Sequence, residues 1–235
     1  MSTPVMMEEN PPKAKEEPNK RPIPDEESWN LLLETYRKVK NNTDDEHDVA
    51  FFERIQTNGR CGARVPFEVR QAPGKGRGVF ATAFIPKQTC VWECRSGRFV
   101  TETQMKSFLQ ALPLQLSQDV VTWAFVDDLD DDDIMAVCLD FDESALLNDG
   151  ASISRNWFVR IFCPCKNKNN LRKEDYIPDA PANLNEHMEN GRWCFYSSRD
   201  IESGEELLCD YTNSHDYEHE LKWWDKLEQE YWSRE

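Results

Sequence analysis

The clearest pattern of apolar and polar positions begins at Asp25, in the segment DEESWNLLLETYRKVKN. Five apolar residues recur there at helical spacing: Trp29, Leu32, Leu33, Tyr36 and Val39. Acidic residues come first and basic residues last, an order that suits the dipole of a helix. The pattern predicts an amphipathic helix whose apolar face packs on the rest of the domain, with a partner-binding helix as the alternative.

Two further segments have helical spacing. In TETQMKSFLQALPL, residues 101–114, Thr101 and Gln104 stand at the spacing of a capping box. Four apolar residues then share one face: Met105, Phe108, Leu109 and Leu112. The segment SHDYEHELKWWDKLEQEYW, residues 214–232, has a similar stripe: Leu221, Trp224, Leu227 and Tyr231. These patterns predict a central helix and a C-terminal helix.

Shorter apolar runs bounded by turn residues predict strands. They fall at 65–98, 120–126 (VVTWAFV), 134–139 (IMAVCL), 156–163 (NWFVRIFC) and 192–198 (RWCFYSS). We expect VVTWAFV and IMAVCL to pair across the acidic run DDLDDDD (127–133). That run lacks the glycine and glutamate spacing of a calcium loop, so it suits a solvated hairpin tip. Many short strands, few helices and no regular strand–helix alternation predict a β-rich α+β domain.

The composition of this 235-residue chain indicates a folded part with extensions. Only 39% of the residues are hydrophobic and 31% are charged, so part of the length is expected to be solvated. We predict a disordered tail at 1–24, an N-terminal helical extension at 25–62, a folded domain at 63–213 with a surface insertion at 164–191, and a C-terminal helix at 214–235.

The net charge of −16 argues against nucleic acid as a direct partner, because phosphate contacts need clustered Lys and Arg. An acidic chain suits a basic protein or peptide instead. No apolar run reaches the roughly 18 residues of a membrane span, and the N-terminus has no apolar signal core, so we expect no membrane contact. Eight scattered cysteines favour free thiols in an intracellular compartment, nuclear or cytoplasmic.

The glycine-rich segment GKGRGVFATAFIPKQTCVWEC, residues 74–94, is the first candidate for ligand binding. A dinucleotide fingerprint needs G-x-G-x-x-G before a helix, whereas here G-x-G-x-G precedes a strand-like run. A phosphate-binding Walker loop ends in Gly-Lys-Ser/Thr, whereas Arg77 and Gly78 stand here. Both phosphate interpretations fail. What remains is a turn whose backbone lies open to some other ligand.

Two motifs, in this order and at this separation, resemble the SET domain of protein-lysine methyltransferases. In the glycine motif (76–93), the matching residues are Gly76, Gly78, Val79, Phe80, Ala81, Ile85, Val91 and Glu93. In the terminal motif, RDIESGEELLCDY (199–211), they are Arg199, Asp200, Ile201, Gly204, Glu205, Glu206, Leu207, Asp210 and Tyr211. The resemblance covers about residues 65–212.

The resemblance implies a fold of small curled sheets with a knot-like threading of the C-terminal segment. It also implies S-adenosylmethionine as cofactor, held by the backbone around Lys75, Gly76, Arg77 and Gly78, and Tyr211 as the catalytic hydroxyl. The family's third signature corresponds to an asparagine motif, LLNDGASISRN (146–156). Asn148 carries over as a cofactor-binding residue, Asp149 through its backbone, and Asn156 as the final Asn.

Three departures from the family pattern bear on activity. Asp149 stands where the family has His, and Cys94 stands where a Tyr usually lines the substrate channel. No cysteine follows Tyr211, so the family's zinc-binding lid is missing and we predict no metal site. Two functions remain: a protein-lysine N-methyltransferase acting on a basic protein, histone or non-histone, or a catalytically inactive SET-fold module that binds basic segments. The oligomeric state and the number of methyl groups transferred are not predicted.

Overall fold

The computed structural model describes residues 21–40, 45–72, 75–128, 135–150, 181–189, 192–209 and 221–233. The α-helices within these ranges are α1 (Glu26–Val39), α2 (Glu46–Asn58), α3 (Glu102–Gln110), α4 (Leu114–Trp123) and α5 (Lys222–Trp232). A short 3-10 helix spans Glu143–Leu146. None of the described helices is long and apolar enough to cross a membrane.

The strands are β1 (Phe67–Ala72), β2 (Gly76–Ala81), β3 (Cys90–Glu93), β4 (Ser96–Phe99), β5 (Phe125–Asp128), β6 (Met135–Asp140), β7 (Asn148–Asp149), β8 (Leu184–Glu189), β9 (Arg192–Ser197) and β10 (Leu208–Cys209). They form four small sheets: the antiparallel hairpin β1–β2, the antiparallel sheets β3–β9–β8 and β4–β6–β5, and the parallel pair β7–β10. The predicted β-rich α+β class is confirmed. The knot-like threading stays a prediction.

Helix α1 begins where the sequence predicts. The Asp25 side chain accepts a hydrogen bond from the Ser28 amide at 2.8 Å and so caps the first turn. The apolar face is buried in the core, with Trp29 stacked on Trp123 at a centroid distance of 5.4 Å. The predicted packing of this helix on the domain is therefore confirmed, and its apolar face is not free for a partner.

Helix α3 is also confirmed, with Met105, Phe108 and Leu109 fully buried. Thr101 Oγ1 accepts a hydrogen bond from the Gln104 amide at 3.3 Å. The return half of the capping box is not made, because Gln104 Oε1 has no hydrogen-bond partner within the described residues.

The prediction of a strand over 120–126 is wrong for its first half. Val120 and Val121 lie in α4, and β5 starts only at Phe125. Their side chains pack into the core from the helix, and a short continuous apolar run does not distinguish a buried helix from a strand. The pairing itself is confirmed, since β5 and β6 are antiparallel neighbours. Residues 129–134 of the acidic tip lie outside the described residues.

The predicted surface insertion at 164–191 ends in a regular strand. Strand β8 pairs along its whole length with β9, and five of its six residues are exposed. Since only Leu184 of this strand is buried, no apolar alternation announced it. The predicted strand at 156–163 lies outside the described residues.

The end of the predicted N-terminal tail is placed against the domain. The Arg21 guanidinium forms an ion pair with Asp119 at 3.0 Å, and the Arg21 carbonyl accepts a hydrogen bond from Gln71 Nε2 at 3.1 Å. Residues 21–24 therefore run beside the β1–β2 hairpin and α4. Residues 1–20 lie outside the described part of the chain.

Candidate active site

The glycine motif and the terminal motif lie side by side. The Ala81 amide donates to the Glu205 carbonyl at 2.9 Å, and the Leu207 amide donates to the Val79 carbonyl at 2.8 Å. Further along, Ile85 and Ile201 exchange a pair of backbone hydrogen bonds at 2.9 Å. These bonds hold the terminal motif antiparallel against β2, so the segments that the resemblance linked are in contact.

The asparagine motif joins the same junction through the parallel pairing of β7 with β10, in which Asn148 stands beside Leu208. The Asn148 side-chain amide donates two hydrogen bonds, to the Arg77 carbonyl at 2.8 Å and to Glu206 Oε1 at 2.7 Å. A single side chain therefore connects all three motifs.

Gly78 makes this close approach possible. A Cβ at position 78 would lie 2.6 Å from Glu206 Oε1 and 3.0 Å from Asn148 Nδ2. The Lys75 ammonium lies 3.7 Å from the other Glu206 oxygen. We call the contact of Gly78, Asn148 and Glu206, together with the Arg77 carbonyl, the motif junction. Glu206 therefore contacts both Gly78 and Asn148 in this junction.

Gly76 has open space beside it at the edge of the motif junction. Its φ of +88° is strained for residues with a Cβ, and no atom of the described residues lies within 4 Å of where that Cβ would be. The turn before it is closed by the Lys75 amide donating to the Ala72 carbonyl at 3.1 Å, while residues 73–74 lie outside the described part. This open cradle suits a ligand that approaches the backbone closely.

The Arg77 side chain points away from the motif junction. Its guanidinium binds both carboxylate oxygens of Asp119, at 2.6 and 2.8 Å, and lies 5.2 Å from the Trp123 ring centre. The Arg77 and Asp119 side chains are each only 8% exposed. Only the Arg77 backbone is therefore available at the site. Asp119, from α4, fixes the hairpin from outside the motifs, and no local sequence pattern predicted it.

Asn183 is a residue of this region that the sequence interpretation missed. It is buried, its side-chain amide donates to the Glu206 carbonyl at 2.8 Å, and its side-chain oxygen accepts from the Leu208 amide at 2.9 Å. Next to it, Gly150 is packed so closely on Ala182 that a Cβ would lie 2.7 Å from the Ala182 backbone. No local sequence signal marked Asn183, because strand β8, which it precedes, was itself not predicted. Asn156, the predicted final Asn, lies outside the described residues.

Two other predicted site residues are placed only in part. Asp149 lies in β7 with its backbone beside Cys209 of β10, and its role in cofactor binding stays a prediction. Tyr211, the predicted catalytic residue, lies outside the described residues, two positions beyond Cys209. Its catalytic role stays a prediction.

Cys94, at the position of the expected channel tyrosine, follows directly after β3. Its amide donates to the Trp193 carbonyl at 2.9 Å. Burial raises the pKa of the Cys94 thiol well above its usual value, and the neighbouring carboxylates of Asp140 and Asp142 raise it further. The group is therefore a neutral thiol at physiological pH. No cluster of three or more metal-binding side chains occurs among the residues that the structure describes.

Comparison with known proteins gives one family match. The model of the SET domain matches residues 76–212, more than half of the chain. Among solved structures, a crystal structure of a candidate histone methyltransferase from Plasmodium falciparum covers 64% of this chain and 96% of its own, at 13% identity and a TM-score of 0.35. At that TM-score the structural likeness carries no argument. No curated protein matches the chain.

Proposed function

We propose that this chain, which belongs to the SET domain family of protein methyltransferases, is an S-adenosylmethionine-dependent protein-lysine N-methyltransferase acting on a basic protein segment. The observation that carries the proposal is the motif junction. Asn148 ties the glycine motif to the terminal motif, in a chain whose Gly76 backbone lies open beside it.

The residues at the junction fit such a cofactor. Both protons of the Asn148 amide are used in the motif junction, and its side-chain oxygen is the atom that would accept from the ammonium group of the cofactor. The open space beside Gly76 lets a nucleoside approach the backbone of the glycine motif closely. When bound, S-adenosylmethionine supplies an electrophilic methyl group on a sulfonium.

The chain's own part of the chemistry is alignment and desolvation. Holding an amine in line with its target supplies up to about 7–11 kcal/mol of the barrier. Deprotonating a lysine of pKa about 10.4 near pH 7.4 costs roughly 4 kcal/mol, which burial in an apolar channel offsets. The neutral thiol of Cys94 suits the wall of such an apolar channel. The Tyr211 hydroxyl orients the reacting groups and helps the proton leave.

The proposed basic partner is supported by the net charge of the chain. The proposed intracellular compartment is supported by its cysteines. A chain with a net charge of −16 attracts basic segments, histone or non-histone, and repels nucleic acid and anionic membranes. The six cysteines among the described residues are all free thiols, which agrees with a nuclear or cytoplasmic location.

A second function, a catalytically silent module that binds basic segments, is favoured by the two substitutions at the site. Cys94 removes an aromatic wall, and Asp149 places an acid where the family has His. Methyl transfer decides between the two functions.

The test of catalysis is the variant Tyr211→Phe, assayed for transfer of a tritiated methyl group to a panel of basic peptides. We expect the rate to fall by about 100-fold or more, because an oriented hydroxyl contributes to proton transfer, while cofactor binding persists. Tyr196→Phe is the matched control. The Tyr196 hydroxyl, on β9, donates to Glu189 of β8 and is no part of the motif junction. Equal rates for the two variants would remove Tyr211 from the mechanism.

A further inference from the structure

A second group of charged residues lies around Glu93, the last residue of β3, and shares no residue with the motif junction. At its centre is Glu93, whose two carboxylate oxygens pair with different arginines. Arg192 Nη1 lies 2.9 Å from Oε1, and Arg64 Nη2 binds Oε2. Arg54, from α2, lies close enough to interact electrostatically with both Glu93 and Arg192. We call Arg54, Arg64 and Arg192 the arginine cluster.

Positive charge exceeds negative charge in this cluster. Three guanidinium groups share one buried carboxylate. The next acid on the same face is Glu189, opposite Arg192 in the neighbouring strand, and its Oε1 accepts the hydroxyl of Tyr196 at 2.8 Å. A local excess of cations is notable in a chain whose net charge is −16, because elsewhere acids outnumber bases.

A fourth arginine, Arg95, lies near Glu93, but it binds the end of α2. Arg95 is fully buried, and its guanidinium donates to the carbonyls of Asn58 and Gly59, where α2 ends. Its charge therefore complements the negative end of that helix.

Arg54 is the least compensated member of the cluster. Its Nε is buried and has no hydrogen-bond partner within the described residues. Burial lowers the pKa of Arg54, and the like charge of Arg192 lowers it further. A buried, charged donor without an acceptor is costly, and an oxygen-rich anion would supply that acceptor. An anion can reach the cluster from the side of Arg64 and Arg192, whose side chains are 48% and 41% exposed.

We propose that the arginine cluster is a binding site for a phosphate-type oxyanion, held between Arg54, Arg64 and Arg192. Guanidinium forks match the oxygen geometry of phosphate, and one anion with several oxygens can bind two or three of them together. The Glu93 carboxylate then competes with the bound anion for Arg64 and Arg192, and it holds these two side chains in place. The same chemistry is offered by free inorganic phosphate and by a phosphorylated side chain of a protein partner.

The site is separate from the candidate active site. Glu93 is followed directly by Cys94, and neighbouring residues of an extended chain point to opposite sides. The proposal holds whether or not the chain transfers methyl groups, so its failure would leave the proposed function untouched.

The test is calorimetric titration of the full chain with inorganic phosphate, with a phosphoserine peptide and with the same peptide carrying serine, at constant ionic strength set by chloride. We expect saturable binding of phosphate. Arg54→Ala and Arg64→Ala should each weaken it by at least about tenfold, the loss of one charge-assisted hydrogen bond. Lys226→Ala, which removes one exposed charge from α5, is the control and should change affinity less than about twofold.

Glu93→Gln is the variant that we expect to strengthen phosphate binding. Removing the competitor frees Arg64 and Arg192, so phosphate should bind several-fold more tightly. Tighter binding of the phosphopeptide than of free phosphate assigns the site to a phosphorylated partner, and equal affinity assigns it to the free anion. No saturable binding, or equal affinities for Arg54→Ala, Arg64→Ala and Lys226→Ala in folded samples, would overturn the proposal.

Discussion

The motif junction is built differently from the packing of α1 and α2 on the aromatic core around Phe99 and Phe141, which we call the N-terminal seat. At the motif junction, Asn148 and Glu206 are only partly buried and are held by hydrogen bonds that run across three chain segments. At the N-terminal seat, Tyr36 of α1 packs at 4.8 Å from Phe141 and at 5.1 Å from Phe99, measured between ring centres. One region specifies a shape with little apolar burial, while the other buries a large aromatic surface.

The N-terminal seat also contains a buried ion pair. Lys40 Nζ lies 3.0 Å from Asp48 Oδ2, and the Tyr36 hydroxyl donates to the other Asp48 oxygen. Burial raises the pKa of Tyr36, and the charge of Asp48 raises it further, so the hydroxyl stays protonated. From this difference we expect the N-terminal seat to contribute more to folding stability, and the motif junction to serve the proposed ligand binding.

The largest expected effect is on the stability of the N-terminal seat. Asp48→Ala leaves Lys40 as an unpaired buried charge and should reduce the free energy of unfolding by about 3–5 kcal/mol. Denaturant unfolding followed by circular dichroism measures it. Glu46→Ala, an exposed acid on the same helix, is the control and should cost less than about 1 kcal/mol. Similar losses for the two variants would contradict the difference in burial.

Gly78→Ala sharpens the comparison from the other side. The new methyl group meets Glu206 and Asn148 and should cost about 1–3 kcal/mol of stability by overpacking. Cofactor binding should be lost, because Asn148 is displaced. Gly76→Ala is the contrast: it strains the backbone at a φ of +88° but meets no neighbour. Retained cofactor affinity in Gly78→Ala, measured by calorimetry, would show that the motif junction does not form the site.

A further expected effect concerns pH. Burial raises the pKa of Asp140 to about 6, and the charge of Asp142 adds to the rise. The folded chain therefore holds a proton that the unfolded chain releases near pH 4, and stability should fall as pH rises from about 4 to 6, by up to about 3 kcal/mol. Asp140→Asn should flatten this slope, while the exposed Glu53→Gln should keep it. Stability that rises across this window because of Asp140 would contradict the assignment.

Local patterns predicted the elements whose apolar spacing matches their burial. Helices α1 and α3 bury the residues at helical spacing. The strand at 192–197 buries Cys194 and Phe195, half-buries Tyr196 and leaves Trp193 exposed. The approach of the glycine and terminal motifs followed from the family resemblance, since no local rule pairs segments more than 100 residues apart.

The remaining features depend on contacts between distant parts of the chain. Val120 and Val121 are buried on a helix, because a continuous apolar run leaves the choice to packing. Asn183 follows a long polar segment and gains its role only when Leu208 and Glu206 reach it. Asp119 lies 42 residues from Arg77, on an element whose type was not predicted.

The most direct test of the central claim is calorimetric titration of S-adenosylmethionine into the wild-type chain and into Asn148→Ala. The account predicts stoichiometric binding to the wild type in the micromolar range and a loss of at least about tenfold in the variant, since one ammonium acceptor and two hydrogen bonds of the motif junction disappear. No binding to a folded wild-type chain, or equal binding by both proteins, would contradict it.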